Sequence, residues 1–276
     1  MIFSEGKVCE YFEFNPKETL KKNQEYRKIA MENITPKYKF IDNYSFEKYK
    51  GGSKFKNGDT IFARITPCLE NGKIAYVDCL EDNEIAFGST EYIVLRAIEN
   101  RTIPEFVYYF AISDYFKNKA ISLMTGTSGR QRVQTDALKE LKVKIPDIIN
   151  QKKIVRILSE IDNKIKLNNE INDNLLELSR QLYLDSFNNN SDFRKIKLGD
   201  LCNIKYGKGL PTTKILDAGY PVYGGNGIIG YYDSKMYDES QVLISCRGAA
   251  SGKVILSKPN SFVTNNSLVL ETDRIY

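Results

Sequence analysis

Residues 150–187 contain neither glycine nor proline, although turn residues punctuate the chain on either side. A run this long without a helix breaker predicts one continuous helix. Within it Ile154, Leu158, Ile161 and Ile165 recur at alternating spacings of four and three, the periodicity of a coiled-coil seam. About 37 residues rising ~1.5 Å each make a rod of ~55 Å, where an ordinary packed helix has ~11–12 residues. Such a rod needs a partner helix to cover its apolar stripe. The seam then meets Asn168 and resumes as Ile171, Leu175, Leu178 and Leu182, so a polar residue and a phase slip interrupt it. Asn168 is either a seam residue that sets register and partner choice, or a solvent-facing residue beside a local kink.

The rod divides the chain. Residues 1–149 predict a β-rich domain in which segments 26–29, 60–65, 74–77 and 92–95 are strands of one irregular sheet. Pro104 then opens a helix with Phe106, Tyr109, Phe110, Ser113, Phe116, Ala120 and Leu123 on one face, packed on that sheet. The Gly/Ser/Thr-rich loop TGTSGRQR follows, and the strand-like VKIP leads to Asp147. After the rod, residues 188–192 (NNNSD) read as a linker, and residues 193–276 as the start of a second β-rich domain.

The two β-rich parts echo each other. Residues 58–77, GDTIFARITPCLENGKIAYV, and 239–256, ESQVLISCRGAASGKVIL, both run through a strand to Arg64 or Arg247, cross a turn-rich loop and resume at Gly72-Lys73 or Gly252-Lys253. FGSTEYIVLRA and VTNNSLVLET continue the echo, and Gly6-Lys7-Val8-Cys9 has a looser counterpart in Gly199-Asp200-Leu201-Cys202. Three segments in one order argue for a repeated unit.

Composition narrows the chemistry. The 276 residues include no histidine, which removes the commonest general base and the usual neutral metal ligand. The five cysteines are scattered without a CxxC pair, which fits reduced thiols better than a disulfide framework or a zinc site. GxxxxGK[ST] is absent, and no helical pattern follows PVYGGNGIIG as a dinucleotide fingerprint requires. No catalytic constellation is legible. Without a membrane-length apolar run or a leader pattern at the N-terminus, a cytoplasmic location is the expectation. Lys and Arg exceed Asp and Glu by 40 to 35, a formal charge of +5 that permits an anionic partner.

Where the cations sit says more than their number. Arg130, Gln131 and Arg132 stand on a small-residue loop, and arginine and glutamine are the side chains best suited to guanine and adenine edges. The same text fits a surface turn whose arginines pair with carboxylates such as Asp136. Lys54, Arg64 and Lys73 in the first β-rich part, and Lys208, Lys214, Arg247 and Lys253 in the second, lie at strand ends beside Gly/Ser/Asn loops and could follow a phosphate backbone.

KFKNGDTIFARITPCLENGKIAYV, FGSTEYIVLR, TGTSGRQRVQTDALKELKVKIPD and QKKIVRILSEIDNKI resemble, in that order, the target recognition domain and following helix of type I restriction-modification specificity subunits. FRKIKLGDLCNIKYGKG resembles the opening of a second such domain. The resemblance implies an α+β protein: a β-rich target recognition domain with packed helices, a long coiled-coil spacer helix, and the start of a second recognition domain. It also implies a non-catalytic reader of double-stranded DNA in which each recognition domain binds half of a split target. Two methyltransferase subunits and the restriction-translocase subunits are the implied partners; S-adenosylmethionine, ATP and Mg belong to them, and this chain is expected to hold no cofactor. Arg96 matches about Thr272, so the counterpart of residues 98–187 is expected to be missing. The chain is then either a fragment or a short subunit that pairs through its helix with a second copy or another short chain. Two other readings remain open: the recognition module of another restriction enzyme class, and a coiled-coil interaction protein that does not bind DNA.

Overall fold

In the first β-rich part, alternate residues of the same strands face two different cores. Phe62, Ile93 and Leu95 join one buried cluster, while Ile61, Tyr92 and Val94 join another. A computed structural model, which describes residues 2–127, 129–188 and 196–271, shows why. There are two four-stranded sheets here where one irregular sheet was expected. The central sheet runs in the antiparallel order Phe12–Phe14, Tyr92–Ala97, Thr60–Ala63, Ile74–Tyr76. A second sheet is ordered Ser45–Lys48, Glu25–Ile29, Ala86–Gly88, Lys54–Phe55, with its middle pair parallel. One face of the central sheet packs against helical residues such as Phe106, Tyr108 and Phe116. Its other face meets residues of the second sheet, including Ile29, Phe55 and Ala86. A strand covered on both sides reads as a continuous apolar run, so the sequence pattern alone could not separate the layers.

The single helix expected from Pro104 is two: α1, Pro104–Ile112, and α2, Asp114–Ser122. Ser113 sits between them with extended ψ, donating its hydroxyl to the Phe110 carbonyl at 2.6 Å and accepting from the Phe116 amide. Serine offers the backbone this alternative to a helical turn, and followed by Asp114 it makes a good N-cap. A short helix α3, Thr135–Lys139, leads to strand Lys142–Pro146, which pairs antiparallel with Phe3–Lys7.

Helix α4, Ile148–Asn188, is 41 residues long and contains the whole predicted rod. The Asp147 carboxylate accepts from the Asn150 amide at 2.8 Å and caps it. Gln151 is fully buried; its amide nitrogen donates to the carbonyls of Arg101 and Pro146 at 2.9 and 2.8 Å, and its oxygen accepts from the Ile103 amide at 3.0 Å. Further along, the Asp162 carboxylate accepts from the Tyr109 hydroxyl at 2.6 Å, and the Lys166 ammonium stands 4.7 Å over the Phe40 ring. The early turns of α4 are therefore part of the first unit. Apart from Asn188, the linker expected at 188–192 lies outside the described residues.

The chain divides into two compact units, Met1–Leu182 and Tyr183–Tyr276. In the second, an antiparallel sheet runs Asn203–Tyr206, Ser267–Glu271, Val242–Ser245, Val254–Leu256. Its order is that of the first unit's central sheet. A smaller sheet, Gly227–Tyr232, Tyr220–Gly224, Phe262–Val263, repeats the parallel pair as well, and the short 3-10 turn Leu198–Asp200 matches Val8–Glu10. The repeat read from sequence is a repeat of topology. Its register differs slightly from the text alignment. Ala63 donates to the Lys73 carbonyl at 3.1 Å, and Ser245 to that of Lys253 at 2.9 Å. Lys73 and Lys253 are therefore equivalent, but Arg64 corresponds in register to Cys246, and Arg247 comes one residue later.

No described helix is long and apolar enough to cross a membrane.

Candidate nucleic-acid interface

Three segments far apart in sequence meet at the end of the first unit's central sheet. Thr66 donates its amide to the Gln131 carbonyl at 3.0 Å and accepts from the Gln131 amide through its hydroxyl at 3.0 Å; Val133 donates to the Arg64 carbonyl at 2.8 Å. Arg64 in turn donates its amide to the Glu91 carbonyl at 2.9 Å. Loops 64–73, 88–91 and 126–132 thereby form one surface, and it gathers Arg64, Arg130, Gln131 and Arg132.

The side chains there are unequally free. The Arg132 guanidinium donates from Nε at 2.9 Å and from Nη2 at 2.7 Å to the Glu91 carboxylate. These bonds push its pKa above the usual arginine value. The Arg64 Nε lies 3.8 Å from the same carboxylate. Arg130 is exposed, and its side chain has no partner among the described residues. The arginine that pairs does so with Glu91; Asp136, suggested from sequence, pairs instead with Lys139 at 2.9 Å.

The predicted lysines divide differently. Lys73 donates its ammonium to the Met31 carbonyl at 2.7 Å, and Lys253 donates to Asn226 Oδ1 at 2.9 Å. Both reach back to the loop after the equivalent strand, so both fasten loops within their own unit. Lys54 lies in the strand Lys54–Phe55 and lines a cavity of about 400 Å³ with Asn15, Glu18 and Gly52, away from the Arg132 loop in sequence and sheet. In the second unit Lys208 donates its amide to the Val263 carbonyl at 2.9 Å with its side chain exposed; Lys214 is exposed on the 3-10 turn Thr212–Lys214, and Arg247 is exposed just before the turn Gly248–Ala250.

Two groups escaped the sequence reading. Glu91 was one acid in FGSTEYIVLR, and nothing in that text tied it to a loop 41 residues away. Arg96 donates from Nε and Nη2 to Asp59 at 2.6 and 2.7 Å, and its Nη1 lies 2.8 Å from Glu18. Burial works against its charge, but the bonds to Asp59 and Glu18 outweigh it and raise the pKa. With both edges of its guanidinium engaged, Arg96 holds strands together.

Along α4, Ile154 packs on the first unit's core. Leu158, Ile161, Ile165, Ile171, Leu175, Leu178 and Leu182 are exposed, from 36% to 59%, and Asn168 is exposed with them. Among the described residues no helix covers this stripe.

Paired β-rich units that present cation-bearing loops, joined in sequence by a long helix with an open apolar stripe, define a modular recognition protein. The family model for the type I restriction modification DNA specificity domain matches residues 3–177 and 190–274, and the chain belongs to that family. It is 34% identical over 136 residues to the type I restriction enzyme HindI specificity subunit of Haemophilus influenzae, covering 48% of this chain and 28% of the relative. It is 31% identical over 148 residues to the EcoAI specificity subunit of Escherichia coli, covering 52% and 25%. The chain thus spans about a quarter of these relatives' length. Among solved structures, the HsdS subunit from Thermoanaerobacter tengcongensis aligns with a TM-score of 0.50 at 18% identity, over 99% of this chain and 76% of that one. The type I S subunit from M. genitalium aligns at 0.53 and 21%, over 99% and 73%. At these identities the structural likeness establishes the fold.

Proposed function

We propose that this chain is a DNA-binding specificity subunit of a type I restriction-modification system, without catalysis of its own. Residues 1–149 act as one target recognition domain and residues 193–276 as part of a second, each reading half of a split target, with residues 150–187 as spacer helix and 188–192 as linker. Methyltransferase subunits dock on the helix, and restriction-translocase subunits complete the assembly; S-adenosylmethionine, ATP and Mg are bound by those partners. Arg64, Arg130, Gln131 and Arg132 in the first unit, and Lys208, Lys214 and Arg247 in the second, are the DNA-facing candidates; Lys54, Lys73 and Lys253 add positive charge elsewhere on their own units. The exposed stripe from Leu158 to Leu182 takes a second helix, from another copy of the chain or another short specificity chain.

The observation that carries this reading is the repetition of one strand order in two units, each ending its central sheet in cation-bearing loops. Methylome sequencing of cells carrying this gene with its methyltransferase partner is the test. Methylation at a split asymmetric site is expected if the two units read different halves, and a palindromic site if two first units pair. Absence of any methylation, together with no gel shift of duplex DNA, sinks the reading. A DNA-contacting assembly must also lose affinity steeply as salt rises, because each neutralised phosphate releases counterions.

A further inference from the structure

The arginines of the first unit differ in how many of their donors are already taken. A guanidinium carries five N–H donors in a planar fork. On Arg96 both edges are engaged, by Asp59 and by Glu18. Arg27, with its side chain only 8% exposed, gives Nε to Glu84 at 3.1 Å and Nη1 to the Cys79 carbonyl at 2.5 Å. Arg132 spends only the Nε/Nη2 edge, on Glu91, while its side chain remains 42% exposed and that of Glu91 23%. Among the described residues the Nη1/Nη2 edge, two parallel N–H groups, has no partner.

Both members of this pair are held by their backbones. Glu91 donates its amide to the Ser89 hydroxyl at 3.1 Å and accepts from the Arg64 amide at 2.9 Å. Arg132 is paired across a short hairpin with Thr125, and its neighbour Val133 donates to the Arg64 carbonyl at 2.8 Å. A guanidinium gripped on one edge has given up its rotamer freedom before any ligand arrives, so contact through the other edge loses less entropy. Two parallel N–H donors match the O6 and N7 acceptors of guanine in the major groove.

Resting on the DNA-reading assignment above, we infer that Arg132 reads a guanine edge in the half-site of the first unit, with Glu91 as its positioning residue and the exposed Arg130 contacting phosphate. The second unit differs at the described positions that match Arg64 and Glu91. Cys246 donates its amide to the Asn266 carbonyl at 3.0 Å, the bond that Arg64 makes to Glu91, so an amide stands where the first unit has its carboxylate and a thiol where it has Arg64. The two units therefore read different half-sites.

The test uses the full chain with its methyltransferase subunit to select from a random-sequence duplex library, comparing wild type with Arg132→Lys, Glu91→Gln and Arg130→Ala. Wild type should select a guanine at one position that Arg132→Lys relaxes by roughly tenfold, the discrimination of a bidentate contact. Glu91→Gln should relax the same position by less, because its amide oxygen still accepts one of the two bonds. Arg130→Ala should weaken all sequences alike and lower the salt slope by about one. Retention of the guanine by Arg132→Lys and Glu91→Gln, or a uniform loss across the site with a lowered melting temperature, overturns the inference and leaves DNA reading intact. Failure of the wild type to select any sequence removes the DNA-reading assignment itself, and this inference with it.

Discussion

The two units share a backbone plan and differ in charged side chains at several matching positions. Equivalent strands stand in the same order, equivalent amides reach equivalent carbonyls, and Gly72 and Gly252 both take left-handed φ, at 78° and 88°. Yet Asp59 and Arg96 of the first unit have Gln241 and Glu271 at the matching ladder positions of the second. Backbone hydrogen bonds are indifferent to side-chain identity as long as the alternation of buried positions holds. Such a frame allows the loops to diverge while the sheet survives.

The burial also differs. Ile74 is 1% exposed beneath α1, whereas Val254, its equivalent by register, is 63% exposed. Among the described residues of the second unit, the buried cluster consists of Tyr223, Leu243, Val263 and Val269. Equal topology is compatible with unequal stabilisation, since the free energy follows the area removed from water and not the strand order.

Three substitution pairs probe this comparison by urea unfolding. Asp59→Ala leaves Arg96 half-buried with only one of its two carboxylates, and should cost about 3–5 kcal/mol; Gln241→Ala at the matching place should stay within about 0.5 kcal/mol. A loss below ~1 kcal/mol for Asp59→Ala would remove that ion pair from the list of differences that matter. Ile74→Ala should cost about 2–5 kcal/mol and Val254→Ala less than about 0.5 kcal/mol. Equal losses would mean that the second unit's outer face is covered in solution. The smallest effect tests the likeness itself. Gly72→Ala and Gly252→Ala each force a side chain into left-handed φ and should each cost about 1–2 kcal/mol. A twofold or greater disagreement breaks the equivalence of the two turns.

Much of the plan was legible because it is periodic. The alternation of four and three spacing marked α4, and the recurrence of turn-Gly-Lys text marked the paired units. Ser113 was less transparent: its position on the helical face of Phe106 and Phe116 concealed a capping residue, and only the hydroxyl's hydrogen bonds show that the helix breaks there. The predicted DNA-facing residues of the first unit were found as separate motifs, and the fold joined Arg64 to Arg130, Gln131 and Arg132. It also tied Lys73 and Lys253 into their own loops, a use of positive charge that composition cannot distinguish from phosphate contact. Glu91 carried one available signal, its place in a segment that repeats in the second unit with asparagine instead.

The sequence by itself determined what depends on neighbours along the chain: the uninterrupted helix, its apolar stripe, the repeat, and the family text. Tertiary structure decided what depends on partners far away: two sheets sharing one doubly covered layer, Gln151 anchoring α4, and Glu91 gripping one edge of Arg132. Local periodicity records which face of an element is apolar, but it holds no information about what will cover that face. Hydrogen-bond partners brought together by loop closure are set by the packing of the whole unit, and become visible only when it is folded.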